Sequence, residues 1–522
     1  MVQRESSTTR KVLCKKCIHC KRQIRLTSKF CSFCGKPVPV EQEKKPQEQK
    51  KQKENRVSIV DKVPPKKIES KTEKQIDINK KPVSKQTEQN KNHRILPEGL
   101  INCPYCQEKI SIMEKVCHLC HRSLKKCPLC NIINRGIAKF CRTCQSPFTG
   151  DKNDWYTFRG NNCRNGSVDE IIEFPFYFQW MYPKLGDSIG SLWASPVVSK
   201  DKIFVASKEK NLYALNQFTG ELLWTQPVKE AIICTPAVEE KKIYIGCEDG
   251  KIFAIDNDKG GVCWYYDAEV EIGGSILSHD GKVYVPLKQG RIIVLNSAKN
   301  GSMVWCFPHR KSEPIREIVS SPSLCNNILI FASTNKTVYA LQATDAKLLW
   351  KHQMKSPVIA SCAINKGSVY LIDRGGNMAA LDLKTGHDRW AGVVELPGPF
   401  TASPAVKDDM VVIASQRGTV YALNPNTGGI KWETSFNSNT IFEAINSSPV
   451  LTRDKVIVGT DGGSLYILEQ SDGRSIWQFR SDSWIWASPA VSHGYVYITS
   501  NDGHIYSFSS KKPENNRSLI KS

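Results

Sequence analysis

The chain of 522 residues has no apolar run approaching the roughly 18–20 residues that a membrane span needs; its longest candidate, Phe174-Pro175-Phe176-Tyr177-Phe178, is far too short. Its first residues are polar as far as Cys14, without the apolar stretch of a secretory leader. The expectation is a cytoplasmic protein. It has no Gly-rich phosphate loop of Walker type, no His-Glu-x-x-His and no Gly-x-Ser-x-Gly, which removes three common catalytic signatures. The ten His are dispersed, and no paired general acid and base can be nominated. The chain is therefore expected not to be an enzyme.

Acidic residues are scarce in one region only. Residues 1–150 hold 34 Lys/Arg against 13 Asp/Glu, a net charge of +21, whereas residues 151–522 hold 39 and 38. A basic arm suits an acidic partner such as nucleic acid; a solvated arm is the plainer reading. Residues 41–98 have no apolar periodicity and are dominated by Lys, Gln and Glu, the composition of a disordered tether.

Most of the 20 Cys fall in pairs two residues apart. Cys17 and Cys20 are followed, after ten residues, by Cys31 and Cys34. Cys103 and Cys106 are followed in the same way by Cys117 and Cys120, and Cys127 and Cys130 by Cys141 and Cys144. A two-residue gap lets two thiolates from one tight turn face one ion, and two such turns complete a closed tetrahedral site. Modules this small cannot fold on apolar burial alone, so metal binding would supply their folding energy. About three structural Zn2+ ions are expected, with an iron site of rubredoxin type as the competing reading. Cys14 makes Cys14-x2-Cys17 an alternative first pair. His19, His118 and His121 lie beside the pairs and read as bystanders. Residues 101–149 resemble the double zinc ribbon family, and 12–38 a single similar ribbon. Lys139-Phe140-Cys141 and Lys29-Phe30-Cys31 repeat the family's lead-in to the second pair.

The remaining two-thirds is a repeat. A small residue and Pro open it; two apolar strands, a Thr-Gly turn and a closing Trp follow, as from Ser195-Pro196 through Leu212-Tyr213-Ala214-Leu215 and Thr219-Gly220 to Trp224. Further copies close at Trp264, Trp305, Trp350, Trp390, Trp432 and Trp477, in steps of 40–45 residues. Short strands at that period indicate a β-propeller with one four-stranded blade per repeat. The closing Trp reads as packing between blades. The last repeat, from Ser488-Pro489, stops without a Trp, and Trp180 lies at the right distance before Trp224 to supply it. The N-terminal strand near 174–182 is thus expected to complete the last blade and give eight blades, with seven as the fallback. Asp345-Ala346 replaces one Thr-Gly, so that turn is expected to be altered. Trp193, Trp484 and Trp486 sit off the register as candidates for an exposed aromatic rim.

The repeats, with the lead-in Trp155-Tyr156-Thr157-Phe158-Arg159-Gly160-Asn161, resemble the PQQ-like (pyrroloquinoline-quinone-like) propeller family over nearly all of 151–510. One branch of that family, the quinoprotein dehydrogenases, binds quinone and calcium on the axis and carries a vicinal disulfide. No adjacent Cys-Cys exists here, so PQQ is not expected, and Cys163, Cys234, Cys247, Cys263, Cys306, Cys325 and Cys362 read as buried free thiols. The other branch, which includes an outer-membrane assembly lipoprotein, uses the ring as a docking platform. The resulting organisation is all-β: a zinc ribbon (1–40), a linker (41–98), a double zinc ribbon (99–150), an eight-bladed propeller (151–510) and a tail (511–522). The expected function is that of a scaffold for protein partners not yet identified. A nucleic-acid adaptor acting through residues 1–150 is the first alternative, and a PQQ-dependent oxidoreductase the second.

Overall fold

The computed structural model describes residues 154–309, 315–407, 409–436 and 443–512, with short stretches between 14 and 135. The larger part is a ring of eight antiparallel four-stranded sheets. From the axis outward, blade 1 comprises Val197–Ser199, Lys202–Ser207, Asn211–Asn216 and Leu222–Pro227. Blades 2 to 7 repeat this order along the chain. In blade 8, three strands (Ala490–Ser492, Tyr495–Ser500 and His504–Ser509) are completed by Tyr177–Tyr182 from the beginning of the ring. Trp180 lies opposite Ser507 in that pairing. The inner strands of blades 8 and 1 then stand side by side. The first strand supplies the fourth strand of the last blade, so the closure ties the two ends of the ring together.

Middle strands are covered on both faces by neighbouring blades. They read as continuous apolar runs for that reason: in Lys202–Ser207 every residue after Lys202 is buried. Outer strands are covered on one side only, and side chains alternate along them. Trp264 therefore points inward while Val262 and Tyr265 are exposed.

Every closing Trp except Trp477 packs on the turn of the next blade. The Trp350 ring covers Gly386, where a Cβ would stand 2.6 Å from it and where φ is +73°. Its indole N–H donates to the Leu383 carbonyl at 3.0 Å. Trp180, Trp264, Trp305, Trp390 and Trp432 make the equivalent bond. The Asp345-Ala346 turn turns out to be unaltered: Ala346 keeps φ at +62°, and its N–H donates to the Gln342 carbonyl as in the Thr-Gly turns.

Cys163, Cys234, Cys247, Cys325 and Cys362 are buried free thiols, and burial pushes Cys234 up to about 11 and Cys362 up to about 12. Cys263 is exposed and Cys306 half-buried, contrary to expectation. Both lie beside the inward Trp of an outer strand, where the alternation turns them outward.

Nearer the N-terminus are three small hairpins. Cys14–Lys16 pairs with Gln23–Arg25, Leu100–Asn102 with Lys109–Ser111, and Leu124–Lys126 with Ile133–Arg135. In every case the first Cys pair falls in the six residues between the two strands.

Candidate functional sites: the sealed axis, its mouth and a thiol cluster

The inner strand of a propeller blade has one unpaired edge, which faces the axis. Its N–H and C=O groups need partners. Residues 154–170 supply them by running round the inside of the ring. Trp155 exchanges two backbone bonds with Val198 of blade 1. The carbonyls of Tyr156, Asn162, Cys163, Asn165 and Gly166 accept from Val238, Leu324, Ile364, Val406 and Leu451, in blades 2, 4, 5, 6 and 7. The Asn162 amide donates to the Ser278 carbonyl of blade 3. The Glu170 carboxylate accepts from the His493 and Gly494 N–H groups of blade 8. One short segment thus touches all eight blades.

Two arginines extend from this belt and are wholly buried. Arg164 gives Nε to the Pro322 carbonyl, Nη1 to Thr157 and Phe158, and Nη2 to Ser275 and Ile276. Arg159 reaches the other side of the ring, to the carbonyls of Pro404 and Pro449 at 2.9 and 2.5 Å. A guanidinium suits this place because its planar fork can bond two blades at once. Burial pushes both arginines down to about 9, helped at Arg159 by the charge of Arg164, so both stay protonated at neutral pH. Gly166 is required beneath them: its φ is +62°, and a Cβ would overlap the Arg159 guanidinium.

Above the belt lies a closed circuit of hydroxyl groups. The N–H of Ser195 donates to the Thr235 hydroxyl, Thr235 to Ser275, Ser275 to Ser321, and Ser321 to Ser361. Ser361 donates to Ser403, Ser403 to Ser448, Ser448 to Ser488, and Ser488 back to Ser195. All eight residues are buried. Each is the small residue before the Pro that opens a blade, or its counterpart Ser275 or Ser361, which precede Ile276 and Cys362 instead.

Two positions before each of these residues, at the mouth of the ring where the inner strands begin, stand Trp193, Ile233, Gly273, Val319, Ile359, Thr401, Asn446 and Trp486, one per blade. None is fully buried. One part of the mouth is polar. Thr401 and Gln416 donate to the Asn446 amide oxygen, and Asn446 donates to Asp461 at 2.7 Å. Another part is aromatic. Trp486 stacks on Trp484 with centroids 4.8 Å apart and meets Trp193 edge-on at 5.2 Å. Trp193 and Trp484 are 44% and 50% exposed, as an aromatic rim requires.

Of the predicted metal ligands, Cys106, Cys117 and Cys120 are described, and their sulfurs lie within 4.8 Å of one another. The Cys106 and Cys117 Sγ atoms are 3.8 Å apart, and the Cys120 N–H points at the Cys117 sulfur. Four sulfurs about 2.3 Å from one ion stand about 3.8 Å apart, so these thiols have the spacing a tetrahedral ion needs. His118 and His121 are exposed and do not belong to the cluster. Cys17, Cys20, Cys31, Cys34, Cys103, Cys127, Cys130, Cys141 and Cys144 lie outside the described residues. The belt and the hydroxyl circuit were not foreseen. Their signals were the Phe-Arg-Gly lead-in and the recurring Ser/Thr before Pro.

The ring and its connectivity define a PQQ-type propeller. The family model described as "Outer membrane protein assembly factor BamB" matches residues 179–309, 288–457 and 441–514, and the chain belongs to that family. The BamB of Nitrosomonas eutropha is 26% identical over 130 residues, 22% of this chain and 32% of the relative. The quinohemoprotein alcohol dehydrogenase ADH-IIG of Pseudomonas putida is 28% identical over 138 residues, 22% of this chain and 19% of the enzyme. The chain thus matches a third or less of the length of these relatives. Among solved structures, BamB from Moraxella catarrhalis aligns with a TM-score of 0.53 at 21% identity, over 62% of this chain and 98% of that one. The quinohemoprotein alcohol dehydrogenase of Comamonas testosteroni aligns with a TM-score of 0.57 at 14% identity, over 71% and 83%. At these identities the likeness is one of fold.

Proposed function

We propose that the chain is a non-catalytic cytoplasmic scaffold whose propeller and Cys modules bind separate partners. The observation that carries this reading is the filled axis. The belt and two buried arginines occupy the inside of the ring, leaving its faces and rim as the surfaces for contact. From the assembly-factor relatives only this platform role carries over. An axial quinone, as in the dehydrogenase branch, is the weaker reading, because the chain's own side chains take up the axis. Uptake of added PQQ with a visible chromophore would reinstate it.

The three Cys modules each hold one structural zinc ion in this reading. Cys103 joins Cys106, Cys117 and Cys120; the other sets are Cys17, Cys20, Cys31 and Cys34, and Cys127, Cys130, Cys141 and Cys144. The hairpin register supports leaving Cys14 out, since it occupies the position that Leu100 and Leu124 hold in the other two. Metal analysis should find about three zinc ions per chain, and C117S should lose one. The net charge of +21 on residues 1–150 favours nucleic acid as a second partner. Such binding should fall steeply with salt.

Capture from lysate, with and without nuclease, tests the proposal on the full chain and on residues 151–522. Partners kept by both after nuclease support a protein-docking propeller. Partners lost with nuclease alone transfer the function to nucleic-acid binding.

A further inference from the structure

The aromatic wall at the mouth belongs to two connections at one end of the ring. Trp193 precedes blade 1, and Trp484 and Trp486 precede blade 8. Large exposed aromatics set face to face are uncommon on a surface that binds nothing. The wall already holds one cation: the Lys208 ammonium sits 3.7 Å from the Trp193 ring centroid. Indole faces attract such groups through their quadrupole. No cation lies over Trp484 among the described residues, although half of that side chain is open to solvent.

The surrounding charge has the matching sign. Glu443, Asp461, Asp482 and Asp502 lie in the connections of blades 7 and 8 at this end, Glu443 and Asp502 being buried; the cations at this end are Lys208, on Trp193, and Arg480, 3.9 Å from Glu443. Asp461 has one oxygen bonded to Asn446. The other oxygen and the Trp486 indole N–H are both buried without a hydrogen-bond partner. Burial raises the Asp461 carboxyl above its ordinary value.

We propose that Trp193, Trp484 and Trp486, backed by the carboxylates of blades 7 and 8, form a recognition site for Lys or Arg side chains on an extended basic segment of a protein partner. This rests on the scaffold reading and names the chemistry of its partner. Lys208 holds the Trp193 face in the free protein. An incoming side chain takes the open Trp484 face or displaces Lys208.

The test is calorimetric titration of the full chain with two blocked nonapeptides, one alternating Gly with Lys and the other Gly with Glu. The Lys peptide should bind and the Glu peptide should not. W484A, at a half-exposed position, should keep its melting temperature and weaken Lys-peptide binding about tenfold. K208A, which vacates the Trp193 face and removes a like charge, should tighten it about threefold. Equal binding of both peptides, an unchanged W484A or a weakened K208A would overturn the proposal, as would no binding by the parent chain. If the Lys peptide fails while nuclease-resistant capture persists, this site is wrong and the scaffold reading stands.

Discussion

The blades are joined along two circles, one at the axis and one near the rim. At the axis eight backbone N–H groups donate to eight Ser or Thr hydroxyls without a gap. Near the rim six Trp indoles donate to the next blade. Trp224 leaves its N–H unpaired, and Trp477 packs instead on Phe176 and Phe508. The difference follows from what each seam is made of. At the axis a missing hydroxyl leaves a buried N–H with no substitute. Near the rim most of the gain is buried ring area, which tolerates a lost hydrogen bond.

This contrast ranks the effects of substitution. The largest belongs to the belt. R164A removes five hydrogen bonds and opens a cavity, and should cost about 3–5 kcal/mol. R159A should cost less, because Arg159 makes two. Denaturation of either variant checks this, and a cost no larger than that of a surface change would break the contrast at its strongest point. S361A comes next. It leaves the Ser321 N–H unpaired and should cost about 1–3 kcal/mol, with S361T recovering most of it. At the rim, W350F should cost about 1 kcal/mol more than W224F, since only Trp350 has a bond to lose; equal melting temperatures would show that the rim hydrogen bonds are idle. The smallest effect has the opposite sign. A346G relieves a left-handed Ala and should stabilise by about 0.5–1 kcal/mol.

Much of the ring was legible in the sequence because it rests on repetition. The spacing of the Trp residues marked the blades, and the missing last one led to Trp180 and the composite blade. The axis was harder to read. The Ser/Thr-Pro positions recur plainly, but a hydroxyl that accepts from the next blade cannot be told from a small residue needed for packing. Nothing local in the sequence shows that the five-donor forks of Arg159 and Arg164 meet carbonyls more than a hundred residues away. Ala346 looked like a broken turn and is an intact one, because its left-handed backbone is held by the surrounding blade. Among the Cys pairs the ten-residue spacing pointed to Cys106, Cys117 and Cys120, which do converge. The mouth was half legible: the off-register positions of Trp193, Trp484 and Trp486 marked them, while their mutual stacking and the Lys208 contact depend on the fold.

The most direct test of the sealed axis is hydrogen exchange of the full chain, read on peptides covering residues 154–170 and the Ser/Thr that open the blades. The account predicts that these amides exchange together and are among the slowest in the ring, slower than those of the outer strands such as Leu222–Pro227. Fast exchange across 154–170 while the middle strands stay protected would mean that the belt does not hold the axis, and the sealed-axis account would be contradicted.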